Sequence, residues 1–151
     1  MFFKPRQKND LLFGLLKFRR AFGFFGAGFW EGEVDFAPVR KRVKIYIEAG
    51  RRGVSESQRD FYRELEQRYE ELTEAIQNVV VDQPYGYYGY NFFGKKFPEP
   101  RWQDYELNSV FIPSSKKTDA EWNLSYRFLP MGEYYIVYFE GWKPTYGEID
   151  D

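Results

Sequence analysis

Two absences bound the chemistry of this chain. Its 151 residues include no cysteine and no histidine. Without cysteine no disulfide can form, which fits a reducing compartment, and a cytoplasmic location is expected. Without histidine the chain lacks the commonest general base, the commonest zinc ligand and the usual sensor of mildly acidic pH. Ser-His-Asp and Cys-His catalysis are excluded by inventory alone. An excess of one charge is missing as well. Lys and Arg number 22 against 23 Asp and Glu, a net charge of −1. Non-specific nucleic-acid binding depends on neutralising phosphates and normally shows a basic excess, so this balance argues against it. Long apolar runs are also missing. The best candidate, residues 21–30, falls far below the roughly 20 residues of a helical membrane crossing. Lys4, Arg6 and Lys8 make a basic start, but Lys17, Arg19 and Arg20 interrupt the apolar stretch that follows. Neither a secretory signal nor a membrane association is expected.

What the chain has in plenty is aromatic side chains, at 22% of residues. Rings favour strands and bury large areas, so this share points to a sheet-rich fold. The length fits one domain over 1–151, large enough to bury roughly 68–70% of the surface exposed by its unfolded chain.

Alternation marks the strands. Residues 15–22 read as a first strand, and Gly23, Gly26 and Gly28 allow the turn after it. In 29–36, Trp30, Gly32, Val34 and Phe36 share one face and Glu31, Glu33 and Asp35 the other. In 41–49, Val43, Ile45 and Ile47 point inward while Arg42, Lys44, Tyr46 and Glu48 point outward. The outward cations of this strand complement the outward acids of the one before, which predicts a hairpin between them.

Ser55 and Gln58 have the spacing of a capping box, opening a helix over about 55–80. Phe61, Leu65, Tyr69, Leu72, Ile76 and Val79 form its apolar stripe. Asp60–Arg63 and Glu64–Arg68 have ion-pairing spacing. After a glycine–aromatic segment over 85–98, strands are expected over 109–113, 121–128 and 134–140, then a short last one. Trp122, Leu124, Tyr126 and Phe128 share one face of the second of these, and Tyr135, Val137 and Phe139 lie inside the third. Strand runs separated by one helix indicate an α+β fold, an antiparallel sheet of about six strands with the long amphipathic helix on one face.

Few constellations carry chemistry. Tyr85, Tyr87, Tyr88, Tyr90, Phe92 and Phe93 stand among glycines and suit a contact surface for a protein, a sugar or a single strand. Burial is the commoner use of such rings, and closure of one end of the core is the competing reading. Arg40, Lys41, Arg42, Lys44, Arg51 and Arg52 suit a phosphate or an acidic partner. They equally suit a solvated strand face paired with Glu31, Glu33 and Asp35. Binding is therefore assigned to the six rings together with Arg42 and Lys44. The acids at 31, 33, 35 and 48 lack the loop cradle of a hard-metal site. The glycines match neither a phosphate-binding loop nor a dinucleotide fingerprint. No metal, cofactor or catalytic residue is expected.

Four segments look familiar together: Phe13-Gly14-Leu15-Leu16, Phe29-Trp30-Glu31-Gly32-Glu33-Val34, Val43 to Ala49, and Ser55-Glu56-Ser57-Gln58 through Leu65. They resemble a family of small, mainly bacterial proteins known as a domain of unknown function. Its members open with an F-G-x-L element and a W-x-G strand, then a strand, an S-x-x-Q helix and a C-terminal hairpin. The resemblance covers residues 11–81 best. A Glu-His-Gly segment found in many members is absent here, where Gly132-Glu133-Tyr134 stands instead. The resemblance brings no catalytic residues. It implies a non-enzymatic interaction module with a protein partner, and a weak association with the immunity proteins of toxin systems. An enzyme working through carboxylates or tyrosines, and a nucleic-acid or small-ligand binder using the basic strand and the rings, are the alternatives.

Overall fold

A computed structural model describes residues 5–20, 28–81, 101–114 and 121–150. Eight strands form one sheet in chain order: β1 (Gln7–Asp10), β2 (Gly14–Arg19), β3 (Phe29–Phe36), β4 (Lys41–Glu48), β5 (Tyr105–Ile112), β6 (Trp122–Phe128), β7 (Glu133–Glu140) and β8 (Lys143–Asp150). One helix, α1 (Glu56–Val81), separates β4 from β5. The fold is α+β, with the helix on one face of an open sheet.

Two expectations are corrected. The sheet has eight strands and not six. β1 was missed because Gln-Lys-Asn-Asp carries no apolar alternation, and three of its four residues are exposed. β8 is a full eight-residue strand, mostly exposed, and its Pro, Gly and charges hide its pairing with β7. The sheet is also not wholly antiparallel, because β4 and β5 run parallel. A helix that starts where β4 ends and returns along the sheet delivers the next strand in the same direction. Two four-stranded antiparallel meanders are thereby joined at one parallel seam.

The local rules that build these elements are visible in the contacts. The β3–β4 hairpin turns through a 3₁₀ segment, Ala37–Val39, with Arg40 in the left-handed region at φ 52°. The box at the start of α1 is reciprocal. The Gln58 amide donates to Ser55 Oγ at 3.3 Å, and the Ser55 amide donates to Gln58 Oε1 at 3.1 Å. Gln58 Nε2 also donates to the carbonyls of Glu48 and Pro113, at 2.9 and 2.7 Å. One buried amide thus ties the helix start to the ends of both parallel strands.

The buried seam of α1 runs Gln58, Tyr62, Leu65, Tyr69, Leu72, Ile76, Val80. The expected stripe holds in its middle, while Phe61 and Val79 are only half-buried at its flank. They yield the central positions to Tyr62 and Val80. The seam shares one core with Val34, Phe36, Val43, Ile45, Ile47, Val110, Leu124 and Val137. Trp122, Leu124, Tyr126, Tyr135, Val137 and Phe139 are buried as the alternation requires. A 3₁₀ segment, Trp102–Asp104, precedes β5. Among the described residues no helix is long and apolar enough to cross a membrane.

Candidate functional site

The helix covers one face of the sheet, and the charged side chains of the strands lie on the other. Strand register sets their neighbours. Glu33 faces Lys44, and Asp35 faces Arg42. Lys44 then faces Ser109 across the parallel seam, Ser109 faces Ser125, and Ser125 faces Ile136. One register position along, Lys17 faces Glu31, Glu31 faces Tyr46, and Tyr46 faces Phe111. The hairpin complementarity expected from sequence is present, though the ion pair formed is diagonal, Arg42 to Glu33 at 3.5 Å.

Two adjoining hollows occupy this face. The larger, of about 610 Å³, is lined by Gly14, Leu15, Lys17, Glu31, Gly32, Glu33, Arg42, Lys44 and Tyr46. The smaller, of about 170 Å³, is lined by Glu33, Arg42, Val43, Lys44, Glu106, Leu107, Asn108 and Arg127. They share Glu33, Arg42 and Lys44, so they form one open trough from β2 to β6. Gly32 shapes its floor. A Cβ on Gly32 would lie 2.8 Å from the Leu16 side chain and 3.0 Å from the Leu15 carbonyl, so only glycine lets β2 settle this close. At the smaller hollow the β5–β6 register slips between Leu107 and Ser109, leaving Asn108 as a bulge residue.

Salt bridges occupy part of the trough. Arg19 holds Glu31 at 2.7 Å, and Lys41 holds Glu106 at 3.0 Å. Lys17, Lys44 and Arg127 form no ion pair among the described residues. Three of the acids at 31, 33, 35 and 48 have separate partners. Glu31 and Glu33 are paired with arginines, and Glu48 accepts the Ser114 amide at 3.1 Å. Among the described residues no group of histidine, cysteine, aspartate or glutamate could hold a metal ion.

Of the residues assigned to binding, Arg42 and Lys44 lie together in the trough. Tyr85, Tyr87, Tyr88, Tyr90, Phe92 and Phe93 lie outside the described residues. Arg51 and Arg52 are exposed in the turn after β4, and neither lines the trough. The charged lining residues that sequence reasoning missed are Lys17, Glu106 and Arg127. Alternation with the inward Phe18 and Tyr126 would have turned Lys17 and Arg127 outward. The Asn108 bulge has no sequence signal of comparable strength.

The ionisable groups away from the trough are held in their resting forms. Burial raises the Asp10 carboxyl, but hydrogen bonds from Arg59 and from the Leu12 and Phe13 amides, with the Arg59 charge, outweigh it and hold the group low. Burial raises the Tyr62, Tyr69 and Tyr126 phenols, and the nearby Glu66 charge adds to the rise at Tyr62. A hydrogen bond to Glu148 raises Tyr138, which stacks on Tyr146 at 4.6 Å. A tyrosine pushed up in this way is a poor base or nucleophile at neutral pH. No family model, no curated protein and no solved structure matches the chain.

Proposed function

We propose that this chain is a non-enzymatic interaction module that captures a protein partner on the outward face of its sheet. The observation that carries the reading is the form of the trough, an open surface of alternating charge spread over five strands. Such a surface suits recognition by charge complementarity, which governs specificity and encounter rate. A small-molecule enzyme site is usually a concave, mostly apolar pocket with a few convergent polar groups. Here the one buried carboxylate among the described residues, Asp10, is committed to Arg59. Nucleic-acid binding is disfavoured because Glu31, Glu33 and Glu106 interrupt any continuous basic track. Under the bacterial family resemblance the module takes an immunity-type form, and the partner is a toxin that it masks.

The test begins with affinity capture on the wild-type chain and on a Lys17→Glu, Arg42→Glu, Tyr46→Ser variant. All three side chains face outward, so the variant should stay folded, with a lower melting temperature because the new glutamates face Glu31 and Asp35. A partner recovered by the wild type should then be titrated against both proteins in purified form. Loss of at least about tenfold in affinity, roughly 1.4 kcal/mol, supports the reading. Equal affinity for both proteins overturns it.

A further inference from the structure

The outward face continues past the trough onto β7 and β8, and there the balance of charge changes. Tyr135, Val137 and Phe139 point into the core, so their neighbours along β7 point outward. Tyr134, Ile136, Tyr138 and Glu140 face Asp150, Glu148, Tyr146 and Lys143 in turn. The Tyr138 and Tyr146 rings stack, with centroids 4.6 Å apart. Each phenol donates to a carboxylate, Tyr138 to Glu148 and Tyr146 to Glu121, the latter at 3.2 Å. The hydrogen bond to Glu148 is the main cause that raises the Tyr138 phenol, and the Glu121 charge adds to it. Tyr146 is raised first by lost hydration, then by the hydrogen bond to Glu121, with the Glu148 charge adding. Both carboxylates therefore lie close enough to act on both rings.

Register accounts for the cations nearby. Lys143 faces Glu140. Arg127 on β6 faces Glu106 on one side and Tyr134 on the other. Glu148 faces Ile136, which faces Ser125, and Tyr146 faces Tyr138, which faces Asn123, so neither row brings a cation between β6 and β8. Glu121 and Glu148 form no ion pair among the described residues.

The hydrogen-bond inventory narrows what fits. Each phenol gives its one proton to a carboxylate, and an ionised carboxylate has none to give. These four groups thus offer acceptors only, beside electron-rich rings. A guanidinium answers them, with five donors, no acceptor and a plane that lies on an aromatic face. An ammonium brings the charge but not the plane. Tyr146 stands on the edge strand and is 46% exposed. Tyr138 covers one face of its ring, and no other described ring or cation stacks on it.

We infer that the Tyr138–Tyr146 pair, with Glu121 and Glu148, is the seat for an arginine of the protein partner, beside the trough and outside it. The inference rests on the protein-partner reading and states what that partner must present, a basic surface with an exposed arginine.

The test titrates a capped Gly-Arg-Gly-Arg-Gly peptide into the purified full chain at low, constant ionic strength and follows the ring resonances of Tyr138 and Tyr146. Saturable shifts are expected, with a Kd of about 1 mM or tighter. The same peptide with citrulline for arginine keeps the shape and loses the charge, and should bind at least about tenfold more weakly. The lysine peptide should bind a few-fold more weakly. Glu121→Gln with Glu148→Gln should weaken arginine binding about tenfold or more. Both acids are exposed and glutamine still accepts from the phenols, so this variant should stay folded. Glu71→Gln with Glu74→Gln, exposed on α1, makes the same change in net charge on the other side of the sheet and should leave the affinity within about twofold. Shifts that never saturate, equal affinity for the citrulline or lysine peptide, or an equal loss in the helix control would overturn the seat. Peptide binding that needs Glu121 and Glu148, with the captured partner held equally by wild type and by the trough variant, would remove the trough and keep the seat. Loss of the partner in the trough variant, with no peptide shifts in the wild type, would sink the seat alone.

Discussion

Arg59 grips Asp10 with two nitrogens, Nη2 at 2.7 Å and Nε at 3.2 Å from the same carboxylate oxygen. The other oxygen accepts the Leu12 and Phe13 amides at 2.9 and 3.2 Å. One carboxylate therefore shapes the β1–β2 turn and fastens it to the first turn of α1. The Asp10 side chain is 3% exposed and that of Arg59 is 21% exposed, so solvent screens the pair only weakly. Asp10→Asn keeps an acceptor for the two amides but leaves Arg59 only the exposed Glu56 carboxylate, 3.0 Å from its Nη1. It should cost about 2 kcal/mol at neutral pH. The folded carboxyl sits below its ordinary value, so its contribution is complete above the usual carboxylate range of about 4 and disappears as pH falls through the folded value. Denaturant unfolding of wild type and Asp10→Asn should therefore show a stability gap that closes under acid. A gap that stays constant between about pH 3 and 7 would show that the charge contributes nothing.

Tyr69 on the helix and Tyr126 on β6 share a hydrogen bond of 3.0 Å through their hydroxyls inside the core. Removing either hydroxyl strands the other. Tyr69→Phe and Tyr126→Phe should each cost about 1–2 kcal/mol, and the double variant should cost less than their sum. Both phenols are raised by burial, so the unfolded chain releases their protons first as pH climbs. Their contribution is intact below about pH 10 and falls above it, by about 1.4 kcal/mol per pH unit for each tyrosine. The double variant should show a shallower alkaline decline by urea unfolding. Identical slopes would place the alkaline sensitivity elsewhere.

Where one face of an element is buried and the other wet, the pattern was legible. Trp30, Val34 and Phe36 on β3, Val43, Ile45 and Ile47 on β4, and the reciprocal Ser55–Gln58 box all follow from period and capping. At the two sheet edges, where strands bury little, β1 escaped and β8 was read as shorter than its eight residues. An edge strand is held by backbone hydrogen bonds to one neighbour, and those leave little trace in side-chain type. The candidate site was half legible. Arg42 and Lys44 stood out because they alternate with a clean apolar row. Glu106 and Arg127 depend on which strand follows the helix and on a one-residue slip at Asn108, both properties of long-range pairing.

Gly147 offers a sharper check on the β7–β8 edge. It faces the core side opposite Val137, and the Tyr135 ring lies over it. Tyr135 in turn donates to the Val79 carbonyl at 3.4 Å, near the end of α1. A methyl group at position 147 would run into that ring, and the ring has the helix above it. Gly147→Ala should destabilise by about 1–3 kcal/mol, as overpacking usually does. Gly50→Ala is the control, because a methyl group there would meet nothing within 4 Å, and it should change stability by about 0.5 kcal/mol or less. Equal melting temperatures for both variants would mean that β8 yields freely.

The phase of α1 decides what its first turns do, and single substitutions read it. Leu65 and Ile76 are fully buried on the seam, so Leu65→Ala and Ile76→Ala should each cost about 2–5 kcal/mol in urea unfolding. Phe61 lies one residue ahead of the seam position taken by Tyr62. Its ring stacks on Trp142 at 5.1 Å and meets Trp122 edge-on at 5.1 Å. Arg68, two turns further along, sits 5.1 Å over the Trp142 ring. Phe61→Ala therefore removes a flank and not a centre, and should cost about 1–2 kcal/mol. It should also uncover one face of Trp142, giving a red-shifted tryptophan emission that Leu65→Ala in the folded state does not give. If Phe61→Ala costs more than Leu65→Ala, the helix is rotated by one residue from the seam described, and Phe61 occupies the place assigned to Tyr62.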